Sequence, residues 1–460
     1  MACRYLDGVI RLHDTARGEV APVEVRDEGR VAMYVCGPTV YGPPHLGHGR
    51  FTLVFDVLRR YLEWCGYEVR YVSNVTDIDD NIIERALREG RDSAAIAAEC
   101  EALWYEGMDA IGVKRPDDDP HATAYVDQMV ELIDRLVADG YAYETGDGVY
   151  FAVERVDGYG LLARQSLDTL LAGARVEVDE DKRSAVDFVL WKKSKPGEPA
   201  WESPWGPGRP GWHTECVVMS LGLLGDGFDI HGGGQDLAFP HHENERAQAV
   251  AIDRPFARHW VHNGFVEIGG EKMSKSTGNY ADLLDLVGST DPRSFRLLVL
   301  QSHYRTPLEV NADTTDQASA ALARLDAFAR RTAALPEAEP DAGILGRFRD
   351  AMDDDLDTPR SLDLLFTVVR DANRLLDEGD EDAAAPLASA AREILDAVGL
   401  EVAGDEASAP PEAVELLARR DAARADRDFD AADRLRDELH ELGWEIEDAA
   451  DGSTLRARRG

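Results

Sequence analysis

Two short strings carry most of the chemistry that this chain can offer. His45-Leu46-Gly47-His48 follows the turn Gly42-Pro43-Pro44 and precedes a helical pattern, so both imidazoles sit at a helix amino end. Backbone N–H groups and the helix dipole favour an anion there. Imidazoles at such a place can donate hydrogen bonds to phosphate oxygens as charge shifts during attack on an α-phosphate. The second string, Lys272-Met273-Ser274-Lys275-Ser276, follows Gly269-Gly270 in a loop, where mobile ammonium groups can close over a pyrophosphate. Alone, the first string reads as an incidental turn and the second as a solvated basic loop. Together, in this order and one nucleotide-binding domain apart, they argue for a triphosphate site. His45, His48, Lys272 and Lys275 are its candidate catalytic residues.

A second constellation is sparser. Cys36 ends an apolar strand pattern, Cys216 begins an apolar helical one, and His241 and Glu245 lie four apart, on one helical face. Two thiolates, an imidazole and a carboxylate make a plausible zinc set. Taken without context, the spacing favours two core cysteines beside a surface helix carrying His and Glu. His242 faces elsewhere and reads as a pocket-lining residue.

The elements around these residues must bring them together. Val31 to Cys36 reads as a buried strand ending in a Gly-Pro turn. Arg50 to Trp64 carries apolar residues at helical spacing, and a second strand, Val69 to Asn74, follows. This is the opening of a doubly wound α/β sheet. Tyr141 to Trp191 mixes short strands and turns, in the manner of an insertion, and Lys192 to Trp212 is a loop rich in Pro, Gly and Trp. An apolar helix is expected from Cys216 to Leu224, then a strand Phe228 to His231 running into Gly232-Gly233-Gly234. Past Ser302 the strand patterns vanish. Residues 310–400 are helical in period, Glu401 to Pro411 is a polar linker, and the remainder is helical to Leu442 and then short and strand-like.

At 460 residues the chain should divide into two to four domains. Its hydrophobic content of 44% is ordinary for a globular protein. No apolar run approaches the roughly 18 residues that span a bilayer, and the N-terminus lacks a signal-peptide pattern. Five scattered cysteines fit a reducing compartment. The expected location is the cytoplasm. Net charge is −38, from 88 acidic and 50 basic residues. Taken alone, that balance argues against nucleic-acid binding, which needs a basic face. Because acids run along the whole chain and Lys is scarce, the charge reads instead as a surface adapted to multimolar salt. There the Debye length falls to roughly 3 Å and self-repulsion is screened.

Longer strings narrow the reading. Tyr34-Val-Cys-Gly-Pro-Thr-Val-Tyr41, the HLGH string, Asn74-Val-Thr-Asp-Ile-Asp-Asp80, Gly208-Arg-Pro-Gly-Trp-His-Thr-Glu-Cys216 and the run from Asp229 to Glu245 resemble the cysteinyl-tRNA synthetases, class I enzymes, from about residue 5 to the end. The resemblance implies a Rossmann-type doubly wound catalytic domain over residues 1–310, with an inserted subdomain at about 115–205 and a signature loop at 272–276. A helical bundle over 311–400 and a small anticodon-binding region over 401–460 would follow. It implies that Cys36, Cys216, His241 and Glu245 hold one zinc ion, that Trp212 floors the amino-acid pocket and that Thr39 touches the substrate. Gly234 and Asp236 would lie near the adenosine, and Lys275 on the phosphates of ATP, which comes with Mg²⁺. The partners implied are tRNA(Cys), ATP and L-cysteine, for a protein expected to be a monomer that does not meet a membrane.

A zinc that accepts the substrate thiolate would separate cysteine from serine, which shape alone does poorly. Four protein ligands are also the mark of a closed structural zinc, and both readings stand at this point. Two departures from the family pattern matter. HLGH replaces the commoner HIGH, a volume-conserving change. Gly452-Ser-Thr-Leu455-Arg456 lacks the aromatic usual there for meeting an anticodon, although the end from Arg456 to Arg459 is basic. Lys182-Arg183 and Lys192, Lys193 and Lys195 are candidate tRNA contacts. The rival readings are a cysteine ligase whose acceptor is the amine of an amino sugar, and a sensing protein built on a degenerate synthetase. The helical C-terminal region, including Asp428 to Arg436, argues against the first, and two intact signatures argue against the second.

Overall fold

The computed structural model describes residues 9–173, 182–273, 281–403, 411–425, 428–442, 444–449 and 452–457. Its centre is a parallel sheet of four strands: β1 (Arg30–Val35), β2 (Glu68–Ser73), β3 (Ile230–Gly234) and β4 (His259–Asn263), in spatial order β4-β3-β1-β2. The chain runs from β1 through helix α1 (Leu46–Trp64) to β2 on one side, and only later fills the other side of β1 with β3. The strand order therefore reverses between β1 and β3. Ligands of open α/β sheets bind in the crevice at the carboxyl ends of such a pair. Cys36 follows β1 and Gly234 closes β3 at that edge.

Strand alternation divides the core. Val31, Met33 and Val35 of β1 join one apolar cluster with Leu53, Phe55 and Leu58 of α1, whereas Ala32, Tyr34 and Cys36 join another. The second cluster holds Phe151, Phe188 and Trp191 of an antiparallel sheet, Ala142–Glu144, Gly148–Phe151, Phe188–Lys193 and Gly208–Pro210. It also holds Cys216 and Val217 of helix α2 (Trp212–Leu223). The first cluster continues without a break into helices beyond residue 311, through Leu322, Phe348, Leu365 and Ile394. At the C-terminus, helices Pro411–Ala425 and Phe429–Glu441 and the hairpin Trp444–Ala449/Gly452–Ala457 close a small core of their own, including Leu416, Leu439, Trp444 and Leu455.

Three local expectations need correction. The strand expected to end at His231 continues through Gly232, Gly233 and Gly234 and pairs with β4 throughout. A side chain at Gly232 would meet the Phe55 ring at 2.2 Å, and one at Gly233 would meet His242 at 3.1 Å. The glycines thus serve close packing inside a strand rather than a loop. Helix α2 starts at Trp212, so Cys216 lies in its second turn rather than at its start. Strand structure also returns beyond Ser302: Leu308–Glu309 pairs in parallel with Val266 and Glu267.

Candidate metal cluster and nucleotide site

Four elements deliver the four sulfur, nitrogen and oxygen groups to one point. Cys36 comes off the end of β1 and Cys216 from α2. His241 lies in the single turn Ala238–His242, and Glu245 in the first turn of helix α3 (Glu243–Ala251). All four side chains are buried, and their ligand atoms lie within 4.8 Å of one another. The Sγ atoms of Cys36 and Cys216 are 3.6 Å apart, Cys36 Sγ is 3.5 Å from Glu245 Oε1, and Cys216 Sγ is 3.7 Å from His241 Nε2. His241 Nε2 and Glu245 Oε1 are 2.9 Å apart. Two thiolates at about 2.3 Å from a tetrahedral zinc would be separated by about 3.8 Å, so the spacing suits such an ion.

The electrostatics of the cluster agree with its donor chemistry. Burial opposes ionisation of Cys216, but hydrogen bonding with Cys36 and the nearby His241 bring its thiol down to about 6. Burial and the neighbouring Cys216 and Glu245 push Cys36 well up. His241 is drawn up to about 10 against its burial, by Glu245 and Cys216. Glu245, also against its burial, is held well below the usual carboxylate range by His231 and His241. Soft sulfur, imidazole and carboxylate groups enclosed together are a set that a borderline-soft divalent ion satisfies.

Two further histidines brace this set. His213 Nδ1 lies 2.8 Å from His241 Nδ1, which leaves His241 Nε2 facing Cys216 and Glu245. His231 Nε2 lies 2.6 Å from Glu245 Oε2, and its Nδ1 lies 3.2 Å from the Tyr34 carbonyl oxygen. Partners of this kind orient ligands and tune their basicity. A second grouping of donors exists, Cys36, His231, His242 and Glu245. It offers one thiol instead of two, and His242 Nδ1 is engaged with His262 Nε2 at 2.8 Å. His231 was not read from the sequence, because a lone histidine in a strand gives no sign of its partner.

Trp212 stacks on His241, with ring centroids 3.9 Å apart and planes 20° from parallel, and remains 37% exposed. One face of the indole thus covers a member of the cluster and the rest is open to a ligand. Thr39, in the loop after Cys36, bridges to Thr76. Gly234 is partly buried, and exposed Asp236 folds back over it, with Oδ1 2.6 Å from where a Cβ would be.

At the first signature, His45 and His48 make a capping box at the start of α1. His48 N donates to His45 Nδ1 and His45 N to His48 Nδ1, each at 3.2 Å. Their rings stack with centroids 3.6 Å apart. With Nδ1 accepting, each neutral ring carries its proton on Nε2, the atom from which it can donate. The two signatures meet: Met273 Cε lies 3.5 Å from the position of a Cβ on Gly47. Beyond the second signature, Leu46 N donates to the Ala281 carbonyl and Leu283 N to that of Pro44. The Lys272 ammonium rests 3.5 Å above the Phe265 ring. Lys275 lies outside the described residues, as does Arg459. Of the candidate tRNA contacts, Lys192 Nζ is bound to Asp80 at 2.7 Å, Lys193 Nζ lies 3.5 Å from Glu144, and Arg183 and Lys182 sit over Tyr143 and Tyr150.

Two signatures that meet beside a sheet whose strand order reverses between β1 and β3 are the arrangement that the sequence resemblance to class I aminoacyl-tRNA synthetases implies. Comparison agrees: residues 22–320 match the catalytic domain of class I (C) tRNA synthetases, 347–403 a DALR domain, and 406–456 a cysteinyl-tRNA ligase anticodon binding domain. The chain is 46% identical, over 97% of its length and all of theirs, to the cysteine–tRNA ligases of Alkalilimnicola ehrlichii and Thioalkalivibrio sulfidiphilus. That of Trichlorobacter lovleyi is 44% identical over 98% of this chain and all of its own. The chain belongs to the cysteine–tRNA ligase family.

In fold it is similar to Mycobacterium tuberculosis methionyl-tRNA synthetase in complex with methionyl-adenylate, with a TM-score of 0.59 at 17% identity over 80% of this chain and 89% of that one. The comparisons do not bear out the salt-adapted reading of the charge. Nor do they support the amino-sugar ligase, given the anticodon-binding domain over 406–456. Among the described residues no helix is long and apolar enough to cross a membrane.

Proposed function

We propose that this chain joins L-cysteine to tRNA(Cys) in two steps, with the cluster and the signatures dividing the labour. In the first, a carboxylate oxygen of cysteine attacks the α-phosphorus of ATP, the bond to the bridging oxygen breaks, and pyrophosphate leaves with its Mg²⁺. In the second, a terminal ribose hydroxyl of tRNA attacks the acyl carbon, and AMP leaves as the new ester forms. No protein nucleophile is required. His45 and His48 donate from Nε2 to phosphate oxygens at the amino end of α1, while Lys272 and Lys275 hold the departing pyrophosphate. Gly234 and Asp236 lie at the edge that would receive the adenosine. Trp212 and Thr39 wall the amino-acid side.

Cys36, Cys216, His241 and Glu245 would hold zinc, which when bound supplies a soft partner for a thiolate and so distinguishes cysteine from serine. The observation that carries this reading is the shared connection from β1 to α1. It begins with Cys36 of the cluster and ends with His45 and His48, so an amino acid bound at one end presents its carboxylate toward the other.

Recognition of tRNA at the far end falls to the C-terminal region. Leu455, which stands where the family aromatic is expected, is buried in that region's own core. The aromatic offered to solvent is Phe429, 63% exposed at the start of its helix. Base stacking on such a ring tolerates sequence and contributes affinity.

The test is transfer of radiolabelled cysteine to tRNA with serine as competitor. Charging that excess serine cannot reduce, and that is lost together with bound metal in Cys216→Ser, supports the assignment. Charging unchanged by loss of the metal would remove the cluster from amino-acid selection.

A further inference from the structure

Arg50 lies two residues past His48 on α1, and its side chain is 1% exposed. Among the described residues no carboxylate lies within ion-pair distance of it. An enclosed cation without a counter-ion is expensive unless its donors are satisfied. Here both terminal nitrogens are bonded, and to backbone alone. The guanidinium donates to the carbonyl oxygens of Phe265 and Thr306, to that of Tyr304 at 3.2 Å, and to that of His303 at 3.5 Å. Burial draws its pKa down to about 10, with the charge of Glu267 opposing, so it stays charged at neutral pH.

These carbonyls belong to two segments that cross. One leaves β4 and enters the hairpin Val266–Ile268/Glu271–Lys272, whose second strand opens the second signature. The other returns through residues 303–308 to the short strand Leu308–Glu309. Gly264 N donates to the Tyr304 carbonyl at 2.8 Å and Leu308 N to that of Phe265 at 2.9 Å. Arg50 therefore binds the same oxygens that stitch the crossing together. The fit is close, since a Cβ on Gly264 would stand 2.6 Å from the Arg305 carbonyl oxygen and 2.8 Å from that of Thr306. Phe265, gripped at its carbonyl by Arg50, carries on its ring the ammonium of Lys272. One helix thus presents two imidazoles at its tip and, from its second turn, ties down the root of the hairpin that bears the opposing lysine.

We propose that Arg50 is a positioning residue for adenylate formation: by locking the hairpin root to α1 it sets the separation of the two signatures across the ATP phosphates. The inference rests on the phosphate-binding role given above to Lys272. Neither Lys nor a neutral residue can replace the planar fork, because several carbonyls on two segments must be reached at once.

The experiment is ATP–pyrophosphate exchange by the full-length, metal-loaded protein, with ATP and cysteine varied separately, in Arg50→Lys, Phe265→Leu and Lys272→Ala. Misplacement on the scale of 1 Å costs up to about 100-fold in rate. In Arg50→Lys a fall of about 10–100-fold in kcat, a raised KM for ATP, and an unchanged KM for cysteine and metal content are expected. Phe265→Leu keeps the backbone carbonyl and removes only the ring under Lys272. A smaller loss with the same ATP-specific pattern is expected there, and this variant carries the test if Arg50→Lys does not fold. Arg50→Ala assayed with millimolar guanidinium ion should recover part of its rate, which a purely structural loss would not do. Wild-type ATP parameters in Arg50→Lys, or equal losses toward ATP and cysteine together with loss of metal, would overturn the proposal. Wild-type exchange in Lys272→Ala would instead sink the phosphate role of the signature itself.

Discussion

The candidate metal cluster and the signature pair share the connection from β1 to α1, yet they are held in different ways. Cys36, Cys216, His241 and Glu245 come from four elements of a packed core, and their flanks are braced by His213, His231 and Trp212. The signatures meet through the contact of Met273 with Gly47 and two backbone hydrogen bonds at residues 44–46 and 281–283, while Lys272 is exposed. Selecting one small side chain calls for donors fixed to a fraction of an ångström before the ligand arrives. Handling a triphosphate calls for charges that settle around it after it arrives. The cluster is built into a core from four elements, whereas the signatures meet where residues 272–283 run beside the start of α1.

The comparison breaks most readily at the cluster. In Cys216→Ser or Glu245→Gln the remaining donors should no longer retain metal at stoichiometric levels. Cysteine activation should fall by several orders of magnitude, with discrimination against serine collapsing as well. Metal analysis beside pyrophosphate exchange with each amino acid checks this. Retained metal with lost activity would show that these residues act on the substrate in some other way.

A smaller effect is expected on the signature side. Lys272→Ala and Lys275→Ala should each slow adenylation by about 100–1,000-fold, the scale of one lost charge-stabilising donor in a preorganised site. The KM for cysteine should not move. Binding of cysteine, followed through the fluorescence of Trp212 against the cluster, should survive in both. Joint loss of cysteine binding would contradict the division of labour drawn here.

A smaller effect again is expected at the brace around the cluster. His213→Phe keeps the ring volume and removes the partner of His241 Nδ1. Outer partners of this kind change metal affinity by about 10–100-fold. A competitive chelator titration should show a shift of that size, while the KM for ATP stays put. At the far end of the molecule, Phe429→Ala should raise the KM for tRNA by about 5–150-fold, the equivalent of 1–3 kcal/mol of stacking, and leave pyrophosphate exchange unaltered.

Which of these features could be read from the chain follows the same divide. The signatures are contiguous strings, so spacing alone gave them a chemistry. The cluster is not contiguous: Cys36 and Cys216 meet only because β1 and β3 are neighbours and α2 packs on them. Its assembly came from the resemblance, since spacing by itself favoured two core cysteines. His231 and Arg50 escaped notice for a related reason. Their partners are a carboxylate on another helix and a set of backbone carbonyls, and backbone leaves no mark in a sequence. The extent of β3 was a smaller miss, since the strand pattern was read only as far as His231. Gly-Gly-Gly signals a loop by conformational freedom, but here it answers the ring of Phe55 pressed against the strand.

The smallest effect on turnover is expected at the shank of α1, where the firmness of the nucleotide side can be tested apart from its chemistry. Asp56 is buried, and it accepts from Arg296 at 2.7 Å, Arg60 at 2.8 Å and Lys114 N at 2.9 Å. Burial alone would raise its pKa, but Arg296 and Arg60 outweigh it and hold the carboxyl below its usual range. A carboxylate whose pKa is depressed on folding contributes stability above its unfolded pKa of about 3.9, and that contribution is lost as pH falls through the folded value. Asp56→Asn leaves Arg296 enclosed without its partner, a loss of about 3–5 kcal/mol for a buried pair. The difference in Tm between wild type and Asp56→Asn should be widest near neutrality and should narrow as the pH drops below 4. Turnover at temperatures well under both transitions should change little, because the tip of the helix and the hairpin root are held by Arg50 instead. A difference in Tm independent of pH would mean that packing rather than charge joins α1 to the helices beyond it. Turnover that fell with the stability would place the anchor of the signatures in the shank of α1 rather than at Arg50.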